Sequence, residues 1–147
     1  MIFICNKNKF IYYIMVGVGY MSRIRIEGGY PLSGEIKVGG AKNSAVALIP
    51  AAVLCGGKVL LENVPDISDI YALEEILTSL GVDVEIGNHT ISIDSSNMVN
   101  AVIPCELSSK LRASYYFMGA LLGKYRKVNM CFPGGCSIGE RPINLHL

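Results

Sequence analysis

Residues 131–142 read Cys131-Phe132-Pro133-Gly134-Gly135-Cys136-Ser137-Ile138-Gly139-Glu140-Arg141-Pro142. A strand-like run, Val128 to Phe132, is expected to stop at Pro133. Gly134 and Gly135 free the backbone for a tight loop. Gly139 adds a second hinge, and Arg141-Pro142 has the form of a helix start with proline in its first turn. Cys136 therefore sits on a loop, near an arginine and a helix start. Both neighbours favour the thiolate and lower a thiol's pKa. Taken alone, the spacing favours the ordinary reading, a β-to-α loop with an incidental cysteine, because cysteine is often just a small buried hydrophobe.

Two upstream segments change the weighing. Gly39-Gly40-Ala41-Lys42-Asn43-Ser44 breaks the chain before an apolar, alanine-rich helix over 41–54. Leu111-Arg112-Ala113-Ser114 puts a guanidinium in a helix that is otherwise apolar. Together with P-G-G-C-S-I-G-E-R-P-I-N-L-H, and in this order, they resemble the UDP-N-acetylglucosamine enolpyruvyl transferases. The resemblance runs from about Met21 to Leu147. The shikimate-pathway enolpyruvyl transferase is similar in chemistry, but its reactive region lacks a P-G-G-C loop of this kind.

The residues themselves leave several roles open. Lys42 stands at a helix start, where unpaired N–H groups and the positive helix end welcome an anion. A lysine that merely solvates a helix end is the common alternative. Arg112 either pairs with a carboxylate or lines a cleft, since burying it unpaired costs several kcal/mol. Lys124, Arg126 and Lys127 read as a solvated turn, and His89 as a solvated turn residue. His146 has no partner that the sequence names.

The resemblance implies more. Lys42, Asn43 and Arg141 would bind phosphoenolpyruvate. Arg112, Arg141, Pro142, Ile143, Asn144 and Leu145 would hold UDP-N-acetylglucosamine. Cys136 would be the general acid, and the epoxide antibiotic fosfomycin alkylates the corresponding family cysteine. The implied reaction moves the enolpyruvyl group of phosphoenolpyruvate to the sugar's 3′-hydroxyl, the first committed step of bacterial peptidoglycan synthesis, in the cytoplasm and without a cofactor. Asn144 departs from the family, where many members carry aspartate in R-P-x-D; asparagine keeps an acceptor oxygen but not the charge. Family members are much longer and have a second domain that supplies the base. The alternative is a truncated, non-catalytic fragment that at most binds a uridine nucleotide or a partner chain.

Composition bounds the rest. The chain has 147 residues, 51% of them hydrophobic, with a net charge of +1. That suits one α/β domain with a substantial core. Beyond residue 20 there are 11 basic and 12 acidic residues, so no broad basic field exists to hold nucleic acid. Cys5, Cys55, Cys105, Cys131 and Cys136 form no C-x-x-C pair and no metal-ligand spacing with histidine, and reduced thiols are the simplest reading.

Along the chain, Lys7 and Lys9 precede the apolar run Phe10 to Tyr20, which imitates a secretory signal but is too short to span a bilayer. Met21 is the expected start and 1–20 an upstream extension; a membrane anchor is the alternative. Strands are expected at 23–26, 34–38 and 59–64, with a turn at Gly28 to Pro31 between the first two. A helix capped by Asp66 or Ser68 should bury Ile67, Ile70, Leu73, Leu77 and Leu80. A hairpin should turn at Gly87-Asn88-His89. A last helix, capped by Ser108 or Ser109, should run to about Leu122.

Lys42 and Lys110 are 68 apart, as are Ala45 and Ala113, Leu54 and Leu122, and Pro65 and Pro133. This reads as one βαβ-type unit used twice. The expected fold is α/β, the repeated units of an incomplete enolpyruvyl transferase domain, an inside-out α/β barrel in the family. Residues 41–147 would be part of the first domain, and the strands of 21–40 would pack with the second.

Overall fold

The computed structural model describes residues 33–134 in full and, before them, the backbone of three strands at 3–6, 9–16 and 20–27. The chain divides into two units, Met1–Lys37 and Val38–Leu147.

In the first unit, β1 (Phe3–Asn6), β2 (Lys9–Val16) and β3 (Tyr20–Glu27) form an antiparallel sheet in the order β1-β2-β3. The apolar run beginning at Phe10 is thus strand for most of its length, with Ile14 opposite Ser22 and Phe10 opposite Ile26. The expected strand at 34–38 does not form. Ile36 and Val38 are 90% and 83% exposed, so among the described residues nothing buries the face that would hold such a strand.

The second unit begins with α1 (Lys42–Ala52), extended by a 3-10 turn at Val53–Cys55 and closed by Gly56 at φ 68°. Pro50 lies inside α1 and, having no N–H, leaves the Val46 carbonyl without its helical donor. Then come β4 (Lys58–Glu62), α2 (Ser68–Ser79), β5 (Asp83–Ile86) and β6 (Thr90–Asp94). The sheet order is β4-β6-β5, antiparallel throughout. The central strand alternates: Ile91 and Ile93 are buried, while Thr90, Ser92 and Asp94 are half-buried on the other face. Four of the five positions expected to be buried are: Ile70, Leu73, Leu77 and Leu80 are all 2% exposed or less, and Ile76 joins them, while Ile67, just before the helix, is half-buried. Its expected cap does not form. Ile67 is the N-cap residue, and the Asp66 carboxylate instead accepts a hydrogen bond from the Tyr71 hydroxyl at 2.9 Å.

The hairpin turn is as expected, but His89 is more than a solvated residue. The Val64 N–H donates to the His89 carbonyl at 2.8 Å, and His89 Nδ1 lies 3.1 Å from the Val64 carbonyl. A carbonyl only accepts, so Nδ1 carries the proton.

The expected single helix over 108–122 is three pieces: α3 (Cys105–Lys110), a 3-10 turn at Arg112–Tyr115, and α4 (Tyr116–Tyr125). Leu111 between them is extended, at φ −139° and ψ 125°. The serines explain the break. Ser108 Oγ donates to the Pro104 and Cys105 carbonyls, Ser109 Oγ to Glu106 and Ser114 Oγ to Ser108, all backbone acceptors. Hydroxyls that bond backbone carbonyls compete with the helix and bend it. The expected strand at 128–132 is reduced to one parallel bridge, Ile103 to Met130. Pro104, next to that bridge, has no N–H with which to extend a ladder.

One core joins these elements. Ile49 and Val53 from α1 and its 3-10 turn, Phe117 and Leu121 from α4, the α2 face and Ile91 and Ile93 are fully buried together. α1 packs against both α2 and α4.

Candidate active site

Gly40 positions the first candidate cluster. A Cβ on it would overlap the Asn63 carbonyl oxygen and lie 2.8 Å from the carbonyl carbon. Only glycine lets the chain pass this close to the turn between β4 and α2. Two residues later Lys42 opens α1, and its Nζ lies 2.6 Å from Asp69 Oδ2 in the first turn of α2. Asp69 is 15% exposed and Lys42 56% exposed at the side chain. The ammonium is therefore steered from one side and open on the other. Asn43 is exposed beside it. Asp69 belongs to none of the motifs; its place in the first turn of the next helix is the signal that the sequence offers for it.

Arg112 begins the 3-10 turn after α3 and is half-buried. No salt bridge to Arg112 forms among the described residues. Tyr115, in the same turn, stacks on Tyr116 with ring centroids 4.4 Å apart. The Tyr115 hydroxyl titrates above its ordinary value, chiefly through its hydrogen bond with Tyr116, with burial adding; the Arg112 charge pulls the other way. Lys110, two residues before Arg112, pairs with Glu75 of α2. Asp69 and Glu75 are six residues apart, about 9 Å along the axis of α2. One helix thus anchors both the Lys42 end of α1 and the Lys110–Arg112 end of α3.

The Ser108 carbonyl is a second anchor. It accepts Ser114 Oγ at 2.8 Å and the Gly134 N–H at 3.3 Å. A Cβ on Gly134 would come within 2.9 Å of Ser109 Cα. The base of the glycine-rich loop is therefore docked on the same backbone that holds the turn of Arg112. Cys136, Arg141, Pro142, Ile143, Asn144 and Leu145 lie outside the described residues, as do Gly28 to Pro31 and His146. An open cleft of about 210 Å³ lies beside that base, lined by Met118, Val128, Asn129, Met130, Cys131 and Phe132. It is smaller than the ~300–1,000 Å³ of ordinary ligand pockets.

Lys124 and the cysteines depart from expectation. Lys124 is not part of a solvated turn. Its Nζ donates to the Val53 carbonyl at 2.8 Å and the Ser95 carbonyl at 3.4 Å, which ties α4 to the first residue of the 3-10 turn after α1 and to the end of the sheet. The cysteines are not all reduced thiols: Cys105 and Cys131 are bonded to each other, while Cys55 is free and exposed. The bond joins positions 26 apart in sequence, a proximity that no local pattern announces.

Known proteins point to the same family. Residues 26–147 match the family model described as EPSP synthase (3-phosphoshikimate 1-carboxyvinyltransferase). The chain is 52% identical over 125 residues to UDP-N-acetylglucosamine 1-carboxyvinyltransferase 2 of Listeria monocytogenes, covering 85% of this chain and 30% of that protein. It is 48% identical over 128 residues to the protein of the same name from Clostridium acetobutylicum, covering 86% and 31%. The crystal structure of the enolpyruvyl transferase NikO from Streptomyces tendae superposes with a TM-score of 0.59 at 31% identity, over 67% of this chain and 23% of that one. The chain spans about 30% of the length of the curated relatives it matches. Its fold is a partial, mixed α/β enolpyruvyl transferase domain, and the chain belongs to the EPSP synthase family.

Proposed function

We propose that this chain supplies the first-domain share of an enzyme that transfers the enolpyruvyl group of phosphoenolpyruvate to the 3′-hydroxyl of UDP-N-acetylglucosamine, the first committed step of peptidoglycan synthesis, in the cytoplasm. The observation that carries this reading is identity near 50% across 85% of the chain to relatives bearing that enzyme's name. Residues 41–147 are part of the first domain. Of residues 21–40, the strand region packs with the second, whereas Gly40 already lies against Asn63 of the first, and 1–20 are an upstream extension.

The chemistry asks for cations around a carboxylate and a phosphate, an acid for the methylene carbon, and a base for the attacking hydroxyl. Lys42, Asn43 and Arg141 bind phosphoenolpyruvate. Arg112 and the stretch Arg141 to Leu145 hold the nucleotide sugar. The sugar oxygen bonds to the central carbon of phosphoenolpyruvate while Cys136 delivers a proton to the methylene, giving a tetrahedral ketal. Loss of that proton and departure of phosphate restore the double bond. The base comes from the second domain. The ion pair with Asp69 supports this reading, because it fixes the reach of Lys42 while leaving its outer side open.

The 30% coverage favours a second reading for the chain by itself, a piece that binds without turning over. Phosphate release from phosphoenolpyruvate that depends on UDP-N-acetylglucosamine separates the two. The 147-residue chain alone should release none. The same chain continued through the remaining length of its relatives should turn over. Inactivity of that longer protein would overturn the enzyme reading, and turnover by the short chain would overturn the division of labour.

A further inference from the structure

Cys105 opens α3, and Cys131 lies in the extended segment that leads into the glycine-rich loop. The two segments run side by side. The Ile103 N–H donates to the Asn129 carbonyl at 3.2 Å, Ile103 bridges Met130, and the Gly134 N–H donates to Ser108 at 3.3 Å. This register sets the two cysteines' Cα atoms 5.0 Å apart, within the range that a disulfide spans, and their sulfurs are bonded. Cys105 is exposed and Cys131 half-buried, so a small reagent reaches the pair.

We propose that Cys105 and Cys131 are a reversible thiol–disulfide modification site that latches the base of the glycine-rich loop to α3. Its reaction partner is a low-molecular-weight disulfide such as oxidised glutathione. The Cys105 thiolate attacks one sulfur, forming a mixed disulfide and releasing one small thiol. The Cys131 thiolate then displaces the second. Two protein thiols and one small disulfide become one protein disulfide and two small thiols. Two electrons pass from the protein sulfurs to the small disulfide, and the two thiol protons end on the released thiols. The bond adds a covalent tie to the hydrogen bonds at Ile103 and Ser108. Because the Ser108 carbonyl also holds Ser114, the latch stiffens the backbone shared by the loop base and the turn of Arg112.

The test uses the full chain and needs no turnover, so its failure is distinct from failure of the proposed function. The chain is equilibrated in glutathione buffers of graded reduced-to-oxidised ratio, free thiols are blocked, and peptides are mapped. A Cys105–Cys131 link should form and disappear reversibly across the series, with no internal link to Cys5, Cys55 or Cys136. Amide exchange across 128–134 should be about tenfold slower in the linked state. That difference should vanish in Cys105→Ser and, separately, in Cys131→Ser. Glutathione on single cysteines without the internal link would overturn the proposal. So would a link that persists in the most reducing native buffer, or equal exchange in both states.

Discussion

The segments that begin at Lys42 and at Lys110 are 68 residues apart and read alike, yet they fold differently. Lys42 opens an unbroken helix of 11 residues. Lys110 closes one of six, after which the chain passes through an extended Leu111 and a 3-10 turn before α4 begins. What the two share is the salt bridge: each lysine reaches a carboxylate of α2, Asp69 or Glu75. The repeat has kept how each segment docks on α2 and lost the helix boundary. Ser114 accounts for the loss most directly, since its hydroxyl takes the Ser108 carbonyl that the Arg112 N–H would take in a continuous helix.

Each segment also depends on one close glycine, and the largest expected effect comes from filling that space. Gly40→Ala forces a methyl into the Asn63 carbonyl, and Gly134→Ala forces one onto the Ser109 backbone. Backbone cannot swing aside as a side chain can, so each substitution should cost about 1–3 kcal/mol, read by urea unfolding. If the two segments are independent docks, the double variant should show additive losses. Strong non-additivity would mean that they act as a single unit.

The salt bridges should differ in weight. Asp69 is 15% exposed, whereas Lys110 and Glu75 are each 48% exposed. Asp69→Asn should therefore destabilise more than Glu75→Gln, which should cost ~1 kcal/mol or less. Equal effects in denaturant titrations would contradict the view that Lys42 is the better-held cation.

How much of this was legible in the sequence follows from the range of each interaction. The α2 face, the hairpin and the glycine that ends α1 rest on neighbours a few residues away, and periodicity and turn chemistry reveal them. The roles of Lys124 and His89 do not, because their acceptors, Val53 and Val64, are 71 and 25 residues distant. The break at Leu111 lay between these cases: three serines within seven residues were visible, but an apolar periodicity running through them read as continuous helix. In the candidate site, Lys42, Asn43 and Arg112 could be named from motifs, while Asp69 needed the fold to bring α2 beside α1.

The smallest expected effect concerns pH at the edge of the sheet. Hydrogen bonds from the Ser96 hydroxyl and N–H hold the Asp94 carboxyl below its ordinary value, with the Lys58 charge on the facing strand helping. A depressed carboxylate contributes stability above its unfolded pKa and loses it as pH falls through the folded one. The melting temperature of the wild type should therefore drop more than that of Asp94→Asn between about pH 6 and pH 3. Parallel profiles would show that this strand end is held by its ladder alone.

The central claim, that the chain carries the reactive loop of an enolpyruvyl transferase, is tested most directly by fosfomycin labelling followed by peptide mapping of all five cysteines. In the chain continued through the length of its relatives, Cys136 should be alkylated first, and faster with UDP-N-acetylglucosamine present. Cys105 and Cys131 should be silent while bonded to each other, and exposed Cys55 slower than Cys136. Labelling led by Cys55, or equal rates at the free thiols, would contradict the assignment.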